Sequence, residues 1–124
     1  LAILFPKTKF LLLDSISKKI KVVDNIISSV KIKNIKTKVE RVENFNQKFD
    51  FIISRAVTNM SNFINITNNN LKKDKKHQGI FYLKGGELDD ELKNIKNITH
   101  NIDEFFEEDF FKTKKIIYIS SKDL

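Results

Sequence analysis

Apolar residues occur along this chain in two kinds of run, which together predict strands alternating with helices. Residues 9–14 and 49–54 form short, nearly continuous apolar runs, which are typical of strands buried on both faces of a parallel sheet. Between residues 15 and 30, apolar side chains instead recur every three or four positions. That spacing predicts an amphipathic helix, for which Ser15 or Ser17 is the expected N-cap.

The remaining runs complete the pattern. Residues 1–5 resemble the end of a helix that stops at Pro6. Further strands are predicted at 35–39, 80–84, 98–106 and 112–120, further helices at 60–71 and 87–96, and a loop or single helical turn at 41–45. The last two strands are joined by a connection too short for a parallel crossover, so we expect them to pair antiparallel. The sequence predicts one α/β domain over residues 1–124, a three-layer, mostly parallel sheet with a C-terminal antiparallel hairpin.

Composition adds a basic charge and excludes several kinds of site. The chain has 23 Lys and Arg against 16 Asp and Glu, a formal net charge of +7, which favours polyanionic partners. Part of the lysine excess fits a general bias towards residues with adenine- and thymine-rich codons. Cysteine is absent, which excludes disulfides and thiolate metal sites, and no apolar run approaches the length of a membrane span. We therefore expect a soluble cytoplasmic protein without a metal.

Polar and charged residues follow each predicted parallel strand. Ligands bind at the carboxyl ends of strands in open parallel sheets, so these positions are where a site is expected. The only two arginines, Arg41 and Arg55, both lie at such positions. Because lysine is the usual cation in this chain, an arginine at a strand end suggests a place where a planar, multi-donor group is needed. The alternative is that both are ordinary surface residues.

Three other strand-end residues have two possible roles each. Asp14 can accept hydrogen bonds from the hydroxyls of a ribose, or it can cap the helix that follows. Glu43 can contact an adenine or cap a turn. Lys84 stands before two glycines, which leave an ammonium group beside backbone that a ligand can approach closely, although it is also one lysine among many.

Common catalytic motifs are missing from the sequence. It contains no Gly-x-Ser-x-Gly elbow, no cysteine nucleophile and no phosphate-binding P-loop. His77 and His100 are isolated and lack the spacing of metal ligands, so we expect both on the surface.

The strand-end motifs, in this order, resemble the glucose-inhibited division protein B family. Its members are bacterial methyltransferases that modify guanine N7 in small-subunit (16S) ribosomal RNA. The resemblance covers nearly the whole chain, although Ser17 replaces a glycine that is usual in the family. The motifs that carry it are Leu-Ala-Ile-Leu-Phe-Pro at 1–6, Leu-Leu-Asp-Ser at 12–15 with Lys18-Lys19, Arg-Val-Glu at 41–43, Phe-Asp at 49–50, Ile-Ser-Arg-Ala at 53–56 and Tyr-Leu-Lys-Gly at 82–85.

The resemblance implies a class I, Rossmann-like methyltransferase fold that uses S-adenosylmethionine. It implies that the family's first strand, which is central in its sheet, and its glycine-rich cofactor loop are not in these 124 residues. The substrate would be small-subunit ribosomal RNA or the 30S particle, and the protein a monomer. The implied roles are the acceptor site for Arg55 and Lys84, cofactor binding for Asp14, Ser15, Val42 and Glu43, and RNA contact for Lys18 and Arg41.

Three other interpretations remain open. A nicotinamide-dependent oxidoreductase would need a Gly-x-Gly-x-x-Gly turn and usually lacks a terminal hairpin. A non-catalytic RNA-binding or interaction domain would use the lysine excess alone. A remnant of a split or degraded enzyme would keep the fold without the activity.

Overall fold

The computed structural model describes residues 1–55 and 57–124, and its elements follow the predicted strand–helix order. The strands are β1 (Phe10–Asp14), β2 (Ile35–Val39), β3 (Phe51–Arg55), β4 (Gly79–Gly85), β5 (Ile98–Asn101) and β6 (Lys114–Ser120). The α-helices are α1 (Ser17–Val30), α2 (Met60–Thr67) and α3 (Asp89–Leu92). The chain divides into two compact units, Leu1–Phe45 and Asn46–Leu124.

The first unit is a β–α–β arrangement. Strands β1 and β2 pair in parallel, with Phe10 opposite Ile35 and Asp14 opposite Val39. Helix α1 connects them, and a single residue in the left-handed conformation, Lys31, ends it. At the amino ends of the two strands, the Asn34 side-chain amide donates to carbonyl oxygens of the N-terminal turn, those of Ala2, Phe5 and Thr8.

The second unit contains a four-stranded sheet in the order β3-β4-β6-β5. Strands β3 and β4 are parallel, whereas β6 pairs antiparallel with both β4 and β5. The predicted terminal hairpin is therefore confirmed, with β5 at the edge and β6 inside the sheet. Gly79 opens β4 so close to β6 that a Cβ atom there would lie 2.2 Å from the Ile119 carbonyl oxygen.

The main hydrophobic core lies in this second unit. Helices α2 and α3 cover β4 and β6, and the side chains at the centre have almost no solvent exposure. Along β4 and β6, buried and less buried residues alternate, so every second side chain packs against the helices. This alternation is expected for a sheet with helices on one face. The buried core residues are Met60, Phe63, Leu71, Ile80, Tyr82, Leu88, Ile117 and Ile119.

A buried glutamine organises the start of β4. Gln78 is 1% exposed, and its side-chain amide donates to the carboxylates of Asp50, at 2.9 Å, and Asp74, at 2.8 Å. Its side-chain oxygen accepts from the Lys75 amide, and its backbone carbonyl accepts from the Ser121 amide. The hydrogen bond from Gln78 is the main cause that lowers the pKa of Asp50, and one from Lys72 adds to it. A buried polar group with its hydrogen bonds made is stabilising, and the same group without them is costly.

Several elements are shorter than the sequence predicts. Residues 1–5 form a turn instead of a helix end, α3 covers only Asp89–Leu92, and β5 stops at Asn101. Some apolar side chains in these segments, such as those of Leu4 and Phe105, are exposed to solvent. Because the sequence pattern counts them as buried, it predicts longer elements than the structure contains. The α/β class is confirmed, but the strands form a two-stranded and a four-stranded sheet.

None of the helices within residues 1–55 and 57–124 combines the length and the apolar character needed to cross a bilayer.

We expect Gln78→Leu to lower the free energy of unfolding by about 1–3 kcal/mol, because it removes the hydrogen bonds that link two loops to β4. Urea unfolding followed by circular dichroism measures this loss. Gln47→Leu, at an exposed position, is the matched control and should change stability far less. Equal stabilities for the two variants would show that the Gln78 network does not stabilise the fold.

Candidate active site

In the first unit, the predicted cofactor residues lie at one edge of the β1–β2 pair. Asp14 is the last residue of β1 and Ser15 follows it, while β2 leads into a single 3-10 turn at Val42–Asn44. Because the two strands are parallel, their carboxyl ends lie side by side, and the Glu40 amide donates to the Asp14 carbonyl at 3.1 Å. Fold and sequence therefore bring Asp14–Ser15 and Val42–Glu43 to the same edge.

The Asp14 carboxylate is held by two neighbours. One oxygen accepts from the Ile16 amide at 2.8 Å, and the other lies 3.4 Å from the Lys19 ammonium. The Ile16 hydrogen bond is the main cause that lowers the pKa of Asp14, with Lys19 adding to it and slight burial opposing both. The predicted serine cap is wrong, because Ile16 is the N-cap of α1 and makes no side-chain cap bond. Asp14 accepts from the amide of that N-cap residue, so it orders the turn before α1 without capping the helix, the alternative role that the sequence suggested.

The two predicted RNA-contacting residues also belong to this unit. Lys18 is exposed in the first turn of α1, and Arg41 is exposed immediately before the 3-10 turn. Glu43 is exposed and Val42 is half-buried. Both cations are thus accessible to a polyanion, on segments that flank Asp14 and Glu43 in sequence.

In the second unit, the predicted acceptor residues lie at the carboxyl ends of adjacent parallel strands. Arg55 ends β3 and pairs in register with Leu83, so Lys84 is the next residue along β4. Arg55 is exposed. Ala56, the last residue of the Ile-Ser-Arg-Ala motif, lies outside the described residues.

Lys84 is an ion-paired side chain, in contrast to the exposed ammonium group that the sequence suggests. Its side chain is 18% exposed, and its ammonium contacts the Glu91 carboxylate in α3. The same Glu91 oxygen accepts from the Met60 amide at the start of α2. Burial raises the pKa of Glu91, but hydrogen bonds from Lys84 and from the Met60 amide outweigh it and lower the pKa overall.

Tyr82 holds the loop that follows Arg55. This tyrosine is fully buried, and its hydroxyl accepts from the amides of Val57, at 2.9 Å, and Thr58, at 3.1 Å. The hydroxyl donates to the Thr58 carbonyl at 2.7 Å. Its ring centroid lies 5.8 Å from the Lys84 ammonium. Tyr82 and Lys84, two positions apart on β4, therefore lie on the same face of the strand.

Glu91 and the role of Tyr82 are the functional features that sequence reasoning missed. Glu91 is seven residues after Lys84 in a segment with many acids, so no spacing distinguished it. Tyr82 was part of a quoted motif, but nothing in the sequence connects its hydroxyl to residues 57 and 58.

Gly86 directly follows β4 and adopts a backbone conformation that favours glycine. Its φ is +89°, in the region that side chains disfavour, and no atom lies within 4 Å of where a Cβ would stand. The predicted open backbone is therefore present at Gly86 but not at Gly85, where a Cβ would lie 2.9 Å from the Lys114 ammonium.

His77 and His100 are exposed. Among the described residues, no group of three or more His, Cys, Asp or Glu side chains could hold a metal ion.

Comparisons with known proteins identify the family of this chain. The model of one family, GidB: rRNA small subunit methyltransferase G, matches residues 1–116. Proteins named ribosomal RNA small subunit methyltransferase G are 49% identical in Flavobacterium psychrophilum and 47% identical in Flavobacterium johnsoniae, each over 98% of this chain. This chain spans 60% of the length of each of these relatives.

A solved structure, that of an rRNA methylase from Streptococcus thermophilus, has the same fold. Its TM-score is 0.59 at 9% identity, over 90% of this chain and 73% of that one. At this identity the likeness shows the fold alone, and it confirms the predicted Rossmann-like methyltransferase architecture. The family model and the relatives together show that this chain belongs to the rRNA small subunit methyltransferase G family.

Proposed function

We propose that the protein containing this chain transfers a methyl group from S-adenosylmethionine to guanine N7 in small-subunit ribosomal RNA. The observation that supports this most directly is the position of the candidate residues. In a member of this family, they occupy the carboxyl ends of two parallel strand pairs, where α/β folds bind their ligands. Within that proposal, all 124 residues are part of one methyltransferase domain.

The first unit supplies the residues that we assign to the cofactor. An ionised carboxylate has about four acceptor positions, so Asp14 can accept ribose hydroxyls while it keeps the Ile16 amide and Lys19. Its lowered pKa keeps it ionised at neutral pH. Ser15 would contact the same ribose, and Val42 and Glu43 would lie against the adenine. These donor and acceptor groups fit a nucleoside, and S-adenosylmethionine supplies a methyl group on a positively charged sulfur.

The second unit supplies the residues that we assign to the acceptor base. Guanine N7 carries a free lone pair, so the reaction needs no general base, and catalysis is chiefly the correct placement of the base. Arg55 can donate to guanine O6 or to a neighbouring phosphate, and Lys84 supplies a second donor at the end of the adjacent strand. Tyr82 fixes the loop after Arg55, which limits the positions that this strand end can adopt.

RNA would be bound through its phosphates as well as its target base. Lys18 and Arg41 are exposed cations, and the net charge of +7 favours association with a polyanion. We propose a monomer that acts in the cytoplasm on small-subunit ribosomal RNA or the 30S particle, without a metal.

If Arg55 and Lys84 contact the acceptor base, replacing either should reduce catalysis without weakening cofactor binding. In the protein that contains this chain, Arg55→Ala and Lys84→Ala should each lower kcat for methyl transfer about 100-fold or more, because each removes a positioned donor. The S-adenosylmethionine Kd, measured by calorimetry, should stay within about a factor of two, well below the effect of one lost hydrogen bond. Lys76→Ala, in an exposed loop, is the control. Equal losses of cofactor binding and catalysis would contradict this division of roles.

The cofactor assignment predicts the reverse pattern for Asp14. Asp14→Ala should weaken S-adenosylmethionine binding by about 1.5–3 kcal/mol, the usual contribution of hydrogen bonds to a charged group. Asp14→Asn keeps an oxygen for the Ile16 amide, so it tests the ribose contact with the start of α1 preserved. Calorimetry gives the Kd and thermal unfolding checks the fold. Unchanged affinity in both variants would exclude Asp14 from the cofactor site.

A further inference from the structure

Lys84 is held between three elements of the second unit. Its ammonium contacts Glu91 from α3, the same carboxylate oxygen accepts from Met60 at the start of α2, and Lys84 itself extends from β4. Lys84 and Glu91 have side chains that are 18% and 22% exposed. The contact is thus partly buried, where a charge pair is screened less by solvent than at the surface.

The pairing changes what Lys84 can recognise. Because the pKa of Glu91 is lowered, its carboxylate is ionised at neutral pH, and the pair has no net charge. An ammonium group has three donors and no acceptor, and Glu91 uses one donor. A phosphate would lie close to the Glu91 carboxylate and be repelled by it, whereas a neutral carbonyl oxygen would not.

The rest of the network limits movement of this ammonium. The Met60 amide orients the Glu91 carboxylate, and the buried Tyr82 hydroxyl fixes residues 57 and 58 just before α2 begins. The aromatic face of Tyr82 lies beside the ammonium, at 5.8 Å. A long, flexible side chain is in this way restricted to few positions before any ligand binds, which lowers the entropic cost of a later contact.

We propose that Glu91 is a positioning residue that makes Lys84 a charge-compensated hydrogen-bond donor to a carbonyl oxygen of the target base, and not a phosphate-binding cation. This inference rests on the proposed function, because it assigns the acceptor side to Lys84. It extends that function by naming the chemical group that Lys84 contacts and the residue that selects it.

Glu91→Gln tests the proposal in the protein that contains this chain. Glutamine keeps an oxygen for the Met60 amide but removes the charge that compensates Lys84. Glu87→Gln makes the same charge change at an exposed position of the same segment and is the matched control. The two measurements are kcat and KM for methyl transfer to small-subunit RNA, and the Kd for that RNA as a function of salt concentration.

We expect Glu91→Gln to lower kcat about tenfold or more, because displacement of a positioned group costs that much in catalysis. We also expect it to steepen the salt dependence of RNA binding by about one phosphate contact, as Lys84 becomes available to the backbone. Glu87→Gln should change neither quantity, and Glu91→Asp should recover part of kcat. Thermal unfolding midpoints identify any loss of folded protein.

Two results would overturn the positioning role while leaving the proposed function intact. One is a Glu91→Gln variant that matches Glu87→Gln in kcat while Lys84→Ala is inactive. The other is an unchanged salt slope in Glu91→Gln. If Lys84→Ala is itself fully active, the acceptor role of Lys84 fails, and the role of Glu91 fails with it.

Discussion

Parallel strand pairing is the constraint on which the candidate site depends. In the first unit, the register of β1 with β2 places Asp14 level with Val39, so the segments that follow both strands begin at the same edge. In the second unit, the register of β3 with β4 places Arg55 level with Leu83, one position before Lys84, so both residues lie at the same end of the strand pair. A parallel register thus puts residues far apart in sequence at one edge, which an antiparallel pair would place at opposite ends.

Buried and partly buried polar groups hold the ends of β4 in the second unit, in addition to the apolar core. The Tyr82 hydroxyl replaces backbone partners for the amides of residues 57 and 58, and Glu91 does so for Met60. At the opposite end of β4, Gln78 connects the Asp50 and Asp74 carboxylates to the strand. Both ends of β4 are therefore anchored by side chains whose hydrogen bonds are lost if a single residue is replaced, while Ile80 and Tyr82 between them are packed in the core.

Most of the fold could be predicted from the sequence because the relevant signals are local. Short apolar runs predict the strands, helical spacing predicts the two longer helices, and the short final connection predicts the antiparallel hairpin. The prediction of helix is wrong at residues 1–5, where apolar side chains remain exposed. It is too long at residues 87–96, where only the single turn of α3 forms. The sequence predicts a serine cap for α1, but Ile16 occupies the N-cap position without a side-chain cap bond, and the Asp14 carboxylate accepts from its amide.

The sequence suggests which residues belong to the candidate site, but it does not indicate which of their side chains contact each other. Strand-end positions and the family resemblance identified Asp14, Arg55 and Lys84, since these depend on order along the chain. Glu91 could not be found, because its contact with Lys84 depends on how α3 packs against β4. That packing makes Lys84 an ion-paired side chain in place of the exposed ammonium group expected from the sequence, and no spacing in the sequence encodes the pair.

The assignment of cofactor binding to the edge of β1 and β2 is the claim most directly open to measurement. Nuclear magnetic resonance of isotopically labelled protein, titrated with S-adenosylhomocysteine, maps the amides that a bound cofactor product perturbs without any substitution. We expect the largest shifts at Asp14, Ser15, Val42 and Glu43, and little change in β5 and β6. Saturable binding whose shifts are confined to β5 and β6 would contradict it.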